Sequence, residues 1–486
     1  MGLRLSWSQP EDLVPHAFRA AELDGVPIDD LVASWTDAGG PLLAPVNGAT
    51  PDPAPESLRE LGRGILSQLD ERAVPDAVRL VEPDELSEIL ALAPGGAAAA
   101  GASQALLVLG AAFFDRVHGA WLGRAAGCLL GKPVEKIPRE GIRAIAQNTG
   151  NWPISSYFTE IGLDPALAER YPWNRKSRPT SLIENIDGMP EDDDLNFPLI
   201  ALDLLERIGA SFSTDDVAQS WLANLPGGRV FTAERIAYRN LLDGYEPSVA
   251  GAVRNPFRDW IGAQIRTDVY GWANPGDPVA AARLAFTDAR LSHGRNGVYG
   301  AMFAAAACSA AVVAGGAGAG GRAAGADGAA DAVDAVIAAG LSVVPADSRY
   351  AQAIALGASL GRSALDSEEA LDRIYAVYGE LHWVHVLNNA AVLAFALTRG
   401  AGDYEATITA AVTGGWDTDS VGATAGSLAG ALLGASALPS RWISPLHNRL
   451  ASSVPGFDGI GFDELARRTV AVAAATSADA ADGAAR

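Results

Sequence analysis

The sequence is poor in cysteine, histidine and positive charge. Its 486 residues include 2 cysteines and 6 histidines, and 36 Lys and Arg stand against 58 Asp and Glu, which gives a formal net charge of -22. Cys128 and Cys308 are too few for a disulfide framework, and their apolar helical contexts predict buried free thiols in a reducing compartment. The negative charge repels a phosphate backbone, which argues against nucleic acid as the main partner.

A signal peptide and a typical membrane span are also lacking. The opening residues, MGLRLSWSQPEDLVPH, carry prolines and carboxylates where a signal peptide needs an apolar run. Residues 298–315 and 421–437 are long enough to cross a bilayer, but they are rich in Gly, Ala and Ser instead of Leu, Ile and Phe. We therefore expect two buried core helices and a cytoplasmic protein without membrane contact, whose oligomeric state stays open.

No clear run of alternating, strand-like residues is found. Alanine and glycine dominate, which favours closely packed helices over sheets. Apolar periodicity predicts helices over 113–131, 197–209, 214–223, 298–314, 348–362, 366–379, 384–399, 404–413 and 421–437. The fold is predicted to be all-α, a large helical bundle with functional residues at helix ends and in loops.

Tracts of biased composition divide the chain. APGGAAAAGAS at 93–103 is typical of a flexible linker, so we predict an N-terminal, mainly helical appendage with its linker over 1–103, whose role the sequence does not reveal. The catalytic domain is then 104–472, followed by a frayed tail over 473–486. A second tract, 314–332, is expected to be a surface loop that leads into a helix.

A first cluster of carboxylates precedes the predicted helix NFPLIALDLLERIG. It follows Pro190 and comprises Glu191, Asp192, Asp193 and Asp194. Because we expect Pro198 in the first turn, the helix should begin between Asp194 and Asn196. Capping and the helix dipole account for one or two of the four acids, and a divalent cation would relieve the repulsion among the rest. A solvated helix cap is the alternative for this run taken alone.

A second cluster, GGWDTDS, leads into the helix VGATAGSLAGALLG and contains Asp417, Asp419 and Ser420. All of these donors are hard oxygens, which suit Mg²⁺ or Mn²⁺ better than zinc. The one closely spaced histidine pair, His382 and His385, lacks nearby partners and is expected in the core or on the surface. The two acidic clusters together predict a magnesium site.

Two predicted helices carry a glycine at every fourth position. The stripes comprise residues 119, 123, 127 and 131, and residues 422, 426, 430 and 434. An interior glycine costs ~1 kcal/mol relative to alanine in a helix, so each stripe indicates close approach of another backbone. Compositional drift is the alternative. If the stripes face each other in antiparallel helices, Glu135 should lie near Asp417 and Asp419.

Three motifs in this order resemble those of the ADP-ribosylglycohydrolase family, which includes the dinitrogenase reductase-activating glycohydrolases. They are DRVHGAWLGRAAGCLLGKPVE (115–135), PEDDDLN (190–196) and GGWDTDSVGATAGSLAGALLG (414–434). The resemblance implies an all-α orthogonal multi-helix bundle. It also implies a site for two Mg²⁺ ions, sometimes Mn²⁺, that cleaves the glycosidic bond at the anomeric carbon of ADP-ribose. The substrate would be an ADP-ribosylated protein or a small ribosyl compound.

The resemblance assigns roles to individual residues. The metal ligands would be Glu191, which replaces a threonine of the family, with Asp192, Asp193, Asp417, Asp419 and Ser420. Glu135 matches a substrate-proximal acid, and Asp194 is the second candidate for the general acid or base. SHGRNGVYGAM (292–302) is similar to a phosphate-contacting segment, which makes the expected substrate contacts His293, Asn296, Gly297 and Tyr299. Trp416 should either stack on the substrate or pack under its loop.

Two other functions would use the same residues. A two-metal phosphohydrolase or pyrophosphatase needs the same oxygen ligands but attacks phosphorus. A non-catalytic homologue would keep the fold alone, since a fold does not fix a function. The intact Asp-x-Asp-Ser sequence favours an enzyme.

Overall fold

The computed structural model describes residues 3–96, 110–314 and 326–484 of the chain. Within these ranges the secondary structure is helical, and extended residues form only isolated bridges. The all-α prediction is therefore confirmed.

The N-terminal unit, residues 3–96, contains short helices joined by proline-rich turns. They are α1 (Pro10–Leu23), α2 (Asp29–Asp37), α3 (Glu56–Asp70), α4 (Asp76–Arg79) and α5 (Leu86–Leu92).

The larger part of the chain forms the main bundle, in which every helix predicted from periodicity is found within a few residues of its expected bounds. Its helices are α6 (Ala111–Gly131), α7 (Arg139–Asn148), α8 (Pro165–Arg170), α9 (Arg178–Ser181), α10 (Asp193–Ile208), α11 (Thr214–Asn224), α12 (Thr232–Leu242), α13 (Pro247–Ala250), α14 (Asp268–Trp272), α15 (Pro278–Ala289), α16 (Arg295–Ala311), α17 (Ala326–Leu341), α18 (Arg349–Arg362), α19 (Ser367–Tyr378), α20 (Val386–Gly400), α21 (Tyr404–Thr413), α22 (Thr418–Leu433), α23 (Ser440–Ile443) and α24 (Phe462–Ala484). Short 3₁₀ turns comprise Lys132–Val134, Gly227–Arg229, Ile261–Arg266, Ala435–Ala437 and Ser444–Leu446.

Helices α16 and α22 lie in the core. Nearly all of their side chains are buried, including Cys308 on α16, and Cys128 on α6 is buried as well. The prediction that the two apolar stretches are core helices is confirmed. Among the described residues, no helix combines the length and the apolar character needed to span a membrane.

The glycine stripes of α6 and α22 face each other in antiparallel helices. Gly123 lies against Gly426 and Gly127 against Gly422, so closely that a Cβ on any of the four would overlap a backbone carbonyl oxygen of its partner. The predicted close approach is confirmed, and it explains the glycines, since no other residue fits between the two backbones. The antiparallel direction brings the end of α6 to the start of α22.

Helix α24 continues to Ala484, where a frayed tail was predicted from 473, because its alanine-rich sequence favours a helix. In the tract 314–332, residues 315–325 lie outside the described residues, and the helix expected after it begins at Ala326. Residues 97–103 of the predicted linker also lie outside the described ranges, so the domain boundary stays a prediction.

The N-terminal unit packs against the main bundle through buried charge pairs and an aromatic cluster. Arg349 at the start of α18 pairs with both Asp24 and Glu82. The aromatic cluster comprises Trp7, His16, Phe257, Trp260 and His382.

The closely spaced histidines have structural environments. His382 stacks on Trp260 with ring centroids 4.3 Å apart, and His385 caps α20 by accepting a hydrogen bond from the Leu387 N–H at 3.2 Å. Burial lowers the pKa of both imidazoles to about 3, which keeps them neutral. The sequence indicates the core or the surface for this pair; His385 is buried in the core, and His382 is part of the aromatic cluster.

Candidate metal centre

One cavity of about 660 Å³ contains the acidic residues that the sequence singled out. Its wall includes Glu135, Glu191, Asp192, Asp193, Asp194, Asp417, Asp419 and Ser420. These side chains come from the turn after α6 and from the N-terminal ends of α10 and α22. The cavity is therefore formed where three helix ends meet.

The first acidic run is positioned by the start of α10. Asp192 is the N-cap, and its Oδ1 accepts a hydrogen bond from the Asp194 N–H at 2.9 Å. The helix begins at Asp193, so Pro198 lies in the second turn and not in the first, which corrects the prediction from sequence. Because Pro198 has no N–H, the Asp194 carbonyl is left free, and Arg124 Nε donates to it at 2.8 Å.

The second acidic run is positioned by a left-handed turn. Gly415 and Trp416 have φ angles of 76° and 60°, after which Asp417 is the N-cap of α22. Thr418 Oγ1 donates to the Gly131 carbonyl at 2.8 Å, which joins the start of α22 to the end of α6. Asp419 lies in the first turn of α22.

The carboxylates form two groups whose oxygens are close enough to share a cation. Glu135, Asp417 and Asp419 place ligand atoms within 4.8 Å of one another, as do Cys128, Asp192 and Asp194. The hypothesis that Glu135 lies near Asp417 and Asp419 is thereby confirmed. Burial raises the pKa of the Cys128 thiol well above its ordinary value, so the second group offers carboxylate oxygens and not a thiolate.

Crowding of buried acids perturbs their ionisation. Burial raises the pKa of Asp193, Asp194 and Asp417 well above the ordinary value, and neighbouring carboxylates add to the effect. Burial, with Glu135 and Asp192, raises the pKa of Asp419 to about 7. Each of these carboxyls would ionise more readily beside a cation, because an opposite charge favours the charged form.

Lys132 supplies positive charge at the floor of the cavity. Its ammonium forms a buried ion pair with Asp192 Oδ2. Burial alone would raise the pKa of Asp192, but the adjacent Lys132 holds it below the ordinary value. Sequence reasoning missed this residue, although it stands three positions before Glu135 in the same GKPVE motif.

The donor set fits a hard divalent cation. Every ionisable ligand apart from the protonated thiol is a carboxylate, and Ser420 adds a hydroxyl 3.3 Å from Asp194 Oδ2. Asp194 Oδ1 is buried without a hydrogen-bond partner among the described residues, and its nearest positive charge is the Arg124 guanidinium, with Nη2 3.6 Å away. A buried oxygen normally accepts a hydrogen bond, and a coordinated cation would also satisfy it.

Glu135 and Glu191 are held by protein partners. Glu135 accepts a hydrogen bond from the Asn174 side-chain amide and pairs with Lys136 at 2.9 Å. Glu191 Oε1 accepts from the Ser453 N–H at 3.1 Å, and its Oε2 pairs with Arg229 at 2.9 Å. Both oxygens of Glu191 are therefore engaged, so it is less available to a metal than the aspartates.

The expected phosphate-contacting segment does not line this cavity. His293, Asn296, Gly297 and Tyr299 are buried, and the N-terminal unit covers part of the segment. Asn296 Nδ2 donates to Glu82 Oε2 at 2.8 Å, and Tyr299 donates to the Pro83 carbonyl at 2.5 Å. Their role as substrate contacts stays a prediction from the resemblance.

Trp416 packs beneath its loop. Its ring stacks on Tyr375 with centroids 4.0 Å apart and an interplanar angle of 9°. Tyr375 in turn donates a hydrogen bond to the Gly414 carbonyl at 2.9 Å. Of the two roles predicted for Trp416, the packing role matches this position.

The fold and the site together define an all-α protein with an acidic, oxygen-lined cavity where three helix ends meet. The ADP-ribosylglycohydrolase family model matches residues 109–479. The chain belongs to this family, and membership supports a glycohydrolase. A solved structure described as an ADP-ribosylglycohydrolase-related protein complex is similar to this chain at 22% identity, with 75% of this chain and 99% of that chain covered and a TM-score of 0.43. No curated protein matches.

Proposed function

We propose that this protein is a Mg²⁺-dependent glycohydrolase that hydrolyses an N- or O-glycosidic bond of an ADP-ribosyl or related ribosyl substrate. The observation that carries the proposal is the convergence of carboxylates from three separate helix ends in one cavity of a family member. The substrate would be an ADP-ribosylated protein or a small ribosyl compound. Because both cysteines are buried free thiols, we assign the protein to the cytoplasm.

Two Mg²⁺ ions, or Mn²⁺ in their place, suit a cavity lined by carboxylate and hydroxyl oxygens. We assign as ligands Asp192, Asp193, Asp417, Asp419 and Ser420, with Glu191 as the weakest candidate because both of its carboxylate oxygens are engaged. When bound, such ions supply positive charge that lowers the pKa of water and orients sugar hydroxyls.

Glu135 is the stronger candidate for the general acid or base. Its side chain is 14% exposed at the cavity wall, so water and substrate can reach it. The Asn174 amide fixes its orientation. Asp194, the alternative, is 2% exposed and lies beside Arg124 and Ser420, which suits a residue that holds the site together.

A glycohydrolase must bind the sugar and move a proton near the leaving group as positive charge develops at the anomeric carbon. Glu135 lies at the cavity wall, where it can exchange a proton with water or the leaving group. The cavity volume of about 660 Å³ falls in the range of small-molecule sites.

Product analysis tests the reaction. Ribosyl substrates are incubated with the full chain in Mg²⁺ or in chelator, and the products are identified by mass. We expect a free C1 hydroxyl on ribose in Mg²⁺ only. Inorganic phosphate or AMP would instead indicate the two-metal phosphohydrolase, and no turnover of any substrate would indicate a non-catalytic homologue.

Substitution of the proposed ligands tests the metal site. Asp417→Asn and Asp419→Asn should lower Mg²⁺ affinity by on the order of 100-fold or more, since even outer partners of metal ligands cost 10–100-fold. Asp203→Asn is the matched control, because Asp203 lies on α10 and pairs with Arg207 away from the cavity. Equal Mg²⁺ binding by all three variants, measured by calorimetry, contradicts the assignment.

A further inference from the structure

A second cavity, of about 390 Å³, lies between the N-terminal unit and the main bundle, and we call it the interunit cavity. One side of its wall comes from α1, α3 and the residues after them, and the other side comes mainly from residues 249–260. Trp260 lines this cavity and packs against Trp7, which lines the cavity that holds the acidic residues. Among the described residues none lines both cavities, so the interunit cavity is a separate space on the other side of the aromatic cluster.

Positive charge predominates in the wall of the interunit cavity. Three aspartates line it against five arginines, which are Arg19, Arg72, Arg254, Arg258 and Arg295. The three histidines of the wall do not change this balance, because burial lowers the pKa of His16 to about 4 and the pKa of His382 and His385 to about 3. Since the whole chain carries a net charge of -22, this local excess of cations marks a place that attracts an anion.

Three of the arginines keep a buried donor nitrogen without an acceptor. Arg254 Nε, Arg258 Nε and Arg295 Nη1 have no hydrogen-bond partner among the described residues. Arg254 also forms no ion pair within the described ranges, since only its backbone N–H binds Asp70, at 3.0 and 2.9 Å. Buried donors normally have partners, so these guanidinium groups retain the capacity to bind an oxyanion.

The other charges of the wall leave this capacity open. Arg258 uses only Nη2, which donates to the half-exposed Asp84 at 3.2 Å. Arg295 pairs with Asp24 and lies 3.6 Å from Asp259. Burial raises the pKa of Asp259, although Arg295 opposes this shift, so Asp259 repels an anion less than an ordinary carboxylate would.

Much of the remaining wall is aliphatic. Both units contribute to it, through Leu66, Leu69, Val74, Val249 and Val253. Val253 directly precedes Arg254 in the chain, so an apolar and a cationic part of the wall adjoin. A mainly apolar wall with a few polar groups, at this volume, is the usual composition of a small-molecule site.

We propose that the interunit cavity binds a small organic anion, whose carboxylate or phosphate head pairs with Arg254 and Arg258 and whose apolar body lies against the aliphatic wall. Arginine forms bidentate hydrogen bonds with both kinds of oxyanion. The ligand contacts both units, so its binding stabilises the docking of the N-terminal unit on the bundle. This site goes beyond the proposed function, because it uses none of the acidic residues of the other cavity.

The test titrates the full chain with octanoate, octyl phosphate, octanol and acetate in a calorimeter. Octanoate or octyl phosphate should bind saturably at one site per chain, and the tighter of the two identifies the head group. Octanol keeps the alkyl chain without the charge, and acetate keeps the charge with a single methyl group. Each should bind at least about 10-fold more weakly than the tighter anion, because a charged hydrogen bond or several methylene contacts are lost.

Substitutions test the residues of the site. Arg254→Gln removes the guanidinium and keeps the backbone hydrogen bond to Asp70, so it should lower the affinity for the anion by roughly 10- to 100-fold and leave octanol binding unchanged. Arg258→Gln is a second variant with the same expected direction. Arg63→Gln is the matched control, since Arg63 lies on α3 and pairs with Glu56 outside the cavity wall. It should bind the anion as well as the wild type does.

Hydrogen exchange read by mass spectrometry locates the bound anion. Saturating octanoate or octyl phosphate should slow exchange in peptides from α1, α3 and residues 249–260. The proposal is overturned if neither anion binds saturably, if octanol binds as tightly as the anions, or if Arg254→Gln and Arg258→Gln both keep the wild-type affinity. Protection confined to peptides that line the acidic cavity overturns it as well.

Discussion

Replacement of Gly426 by alanine tests whether contact between the α6 and α22 backbones holds the bundle together. A Cβ on Gly426 would overlap the Gly123 carbonyl oxygen and would lie 2.9 Å from its carbonyl carbon. Carbon atoms pack at about 3.5–4.0 Å. Because the obstructing atoms are backbone and not a flexible side chain, the two helices must move apart.

The expected magnitude has two parts. Overpacking in a close-packed core costs about 1–3 kcal/mol, and a backbone obstacle places Gly426→Ala near the upper limit. Alanine regains about 1 kcal/mol of helix propensity, which leaves a net loss of about 2 kcal/mol. Gly64→Ala on α3 is the matched control, since nothing lies within 4 Å of its added Cβ. It should stabilise its helix by about 1 kcal/mol.

Hydrogen exchange read by mass spectrometry reports each helix separately, which suits a chain of this size. In Gly426→Ala, peptides from α6 and α22 should exchange faster than in the wild type. In Gly64→Ala, peptides from α3 should exchange more slowly. If α6 and α22 keep their protection in Gly426→Ala, the glycine stripe is not a contact on which the bundle depends, and the reasoning is refuted.

The metal site and its loop give three more predictions. Burial and neighbouring acids raise the pKa of Asp419 to about 7, so the metal-free protein should lose thermal stability as pH rises from about 4 through about 7. Mg²⁺ should raise the Tm most above that pH range. An equal effect of Mg²⁺ on the Tm at every pH contradicts this prediction. Lys132→Met removes the ion-pair partner of buried Asp192, so the free energy of unfolding in chelator, measured by urea denaturation, should fall by about 3–5 kcal/mol. The increase in that free energy on adding Mg²⁺ should be larger in the variant than in the wild type. Tyr375→Phe keeps the stack on Trp416 and loses one hydrogen bond, so it should lower the free energy of unfolding by about 0.5–1.5 kcal/mol. Tyr375→Ala also removes the stack, so it should lower the free energy of unfolding further and lower kcat. Equal effects of the two variants would show that the stack is unimportant.

Features encoded within single helices could be predicted from the sequence. The glycine spacing predicted that each of the two helices approaches another backbone closely, and the further hypothesis that the two stripes face each other in antiparallel helices placed Glu135 beside Asp417. Both followed because a repeat of four residues keeps its members on one face of a helix. The start of α10 was misplaced because Pro198 is tolerated beyond the first turn when another donor satisfies the carbonyl that it frees. Arg124 is that donor, from a helix 70 positions away.

Contacts between distant segments could not be predicted in this way. Asn296 meets Glu82 across a separation of 214 residues, and nothing in the periodicity of either segment indicates the other. The same holds for Trp7, whose position at the cavity depends on how the whole N-terminal unit packs. Such contacts arise from tertiary packing, and the local sequence of one surface does not indicate which other surface packs against it.

The close approach of α6 and α22 also explains why so many acids are crowded into one cavity. It brings the N-terminus of α22 beside the end of α6, and the N-terminus of α10 reaches the same cavity. Each helix N-terminus carries only about half a positive charge, and Lys132 adds one more. Together these leave the pKa values of Asp193, Asp194, Asp417 and Asp419 above their ordinary range, so the protein's own charges do not balance the acids. Under the proposed function, a divalent cation would supply the missing charge and offset the cost of holding these acids together, which protonation also offsets at lower pH.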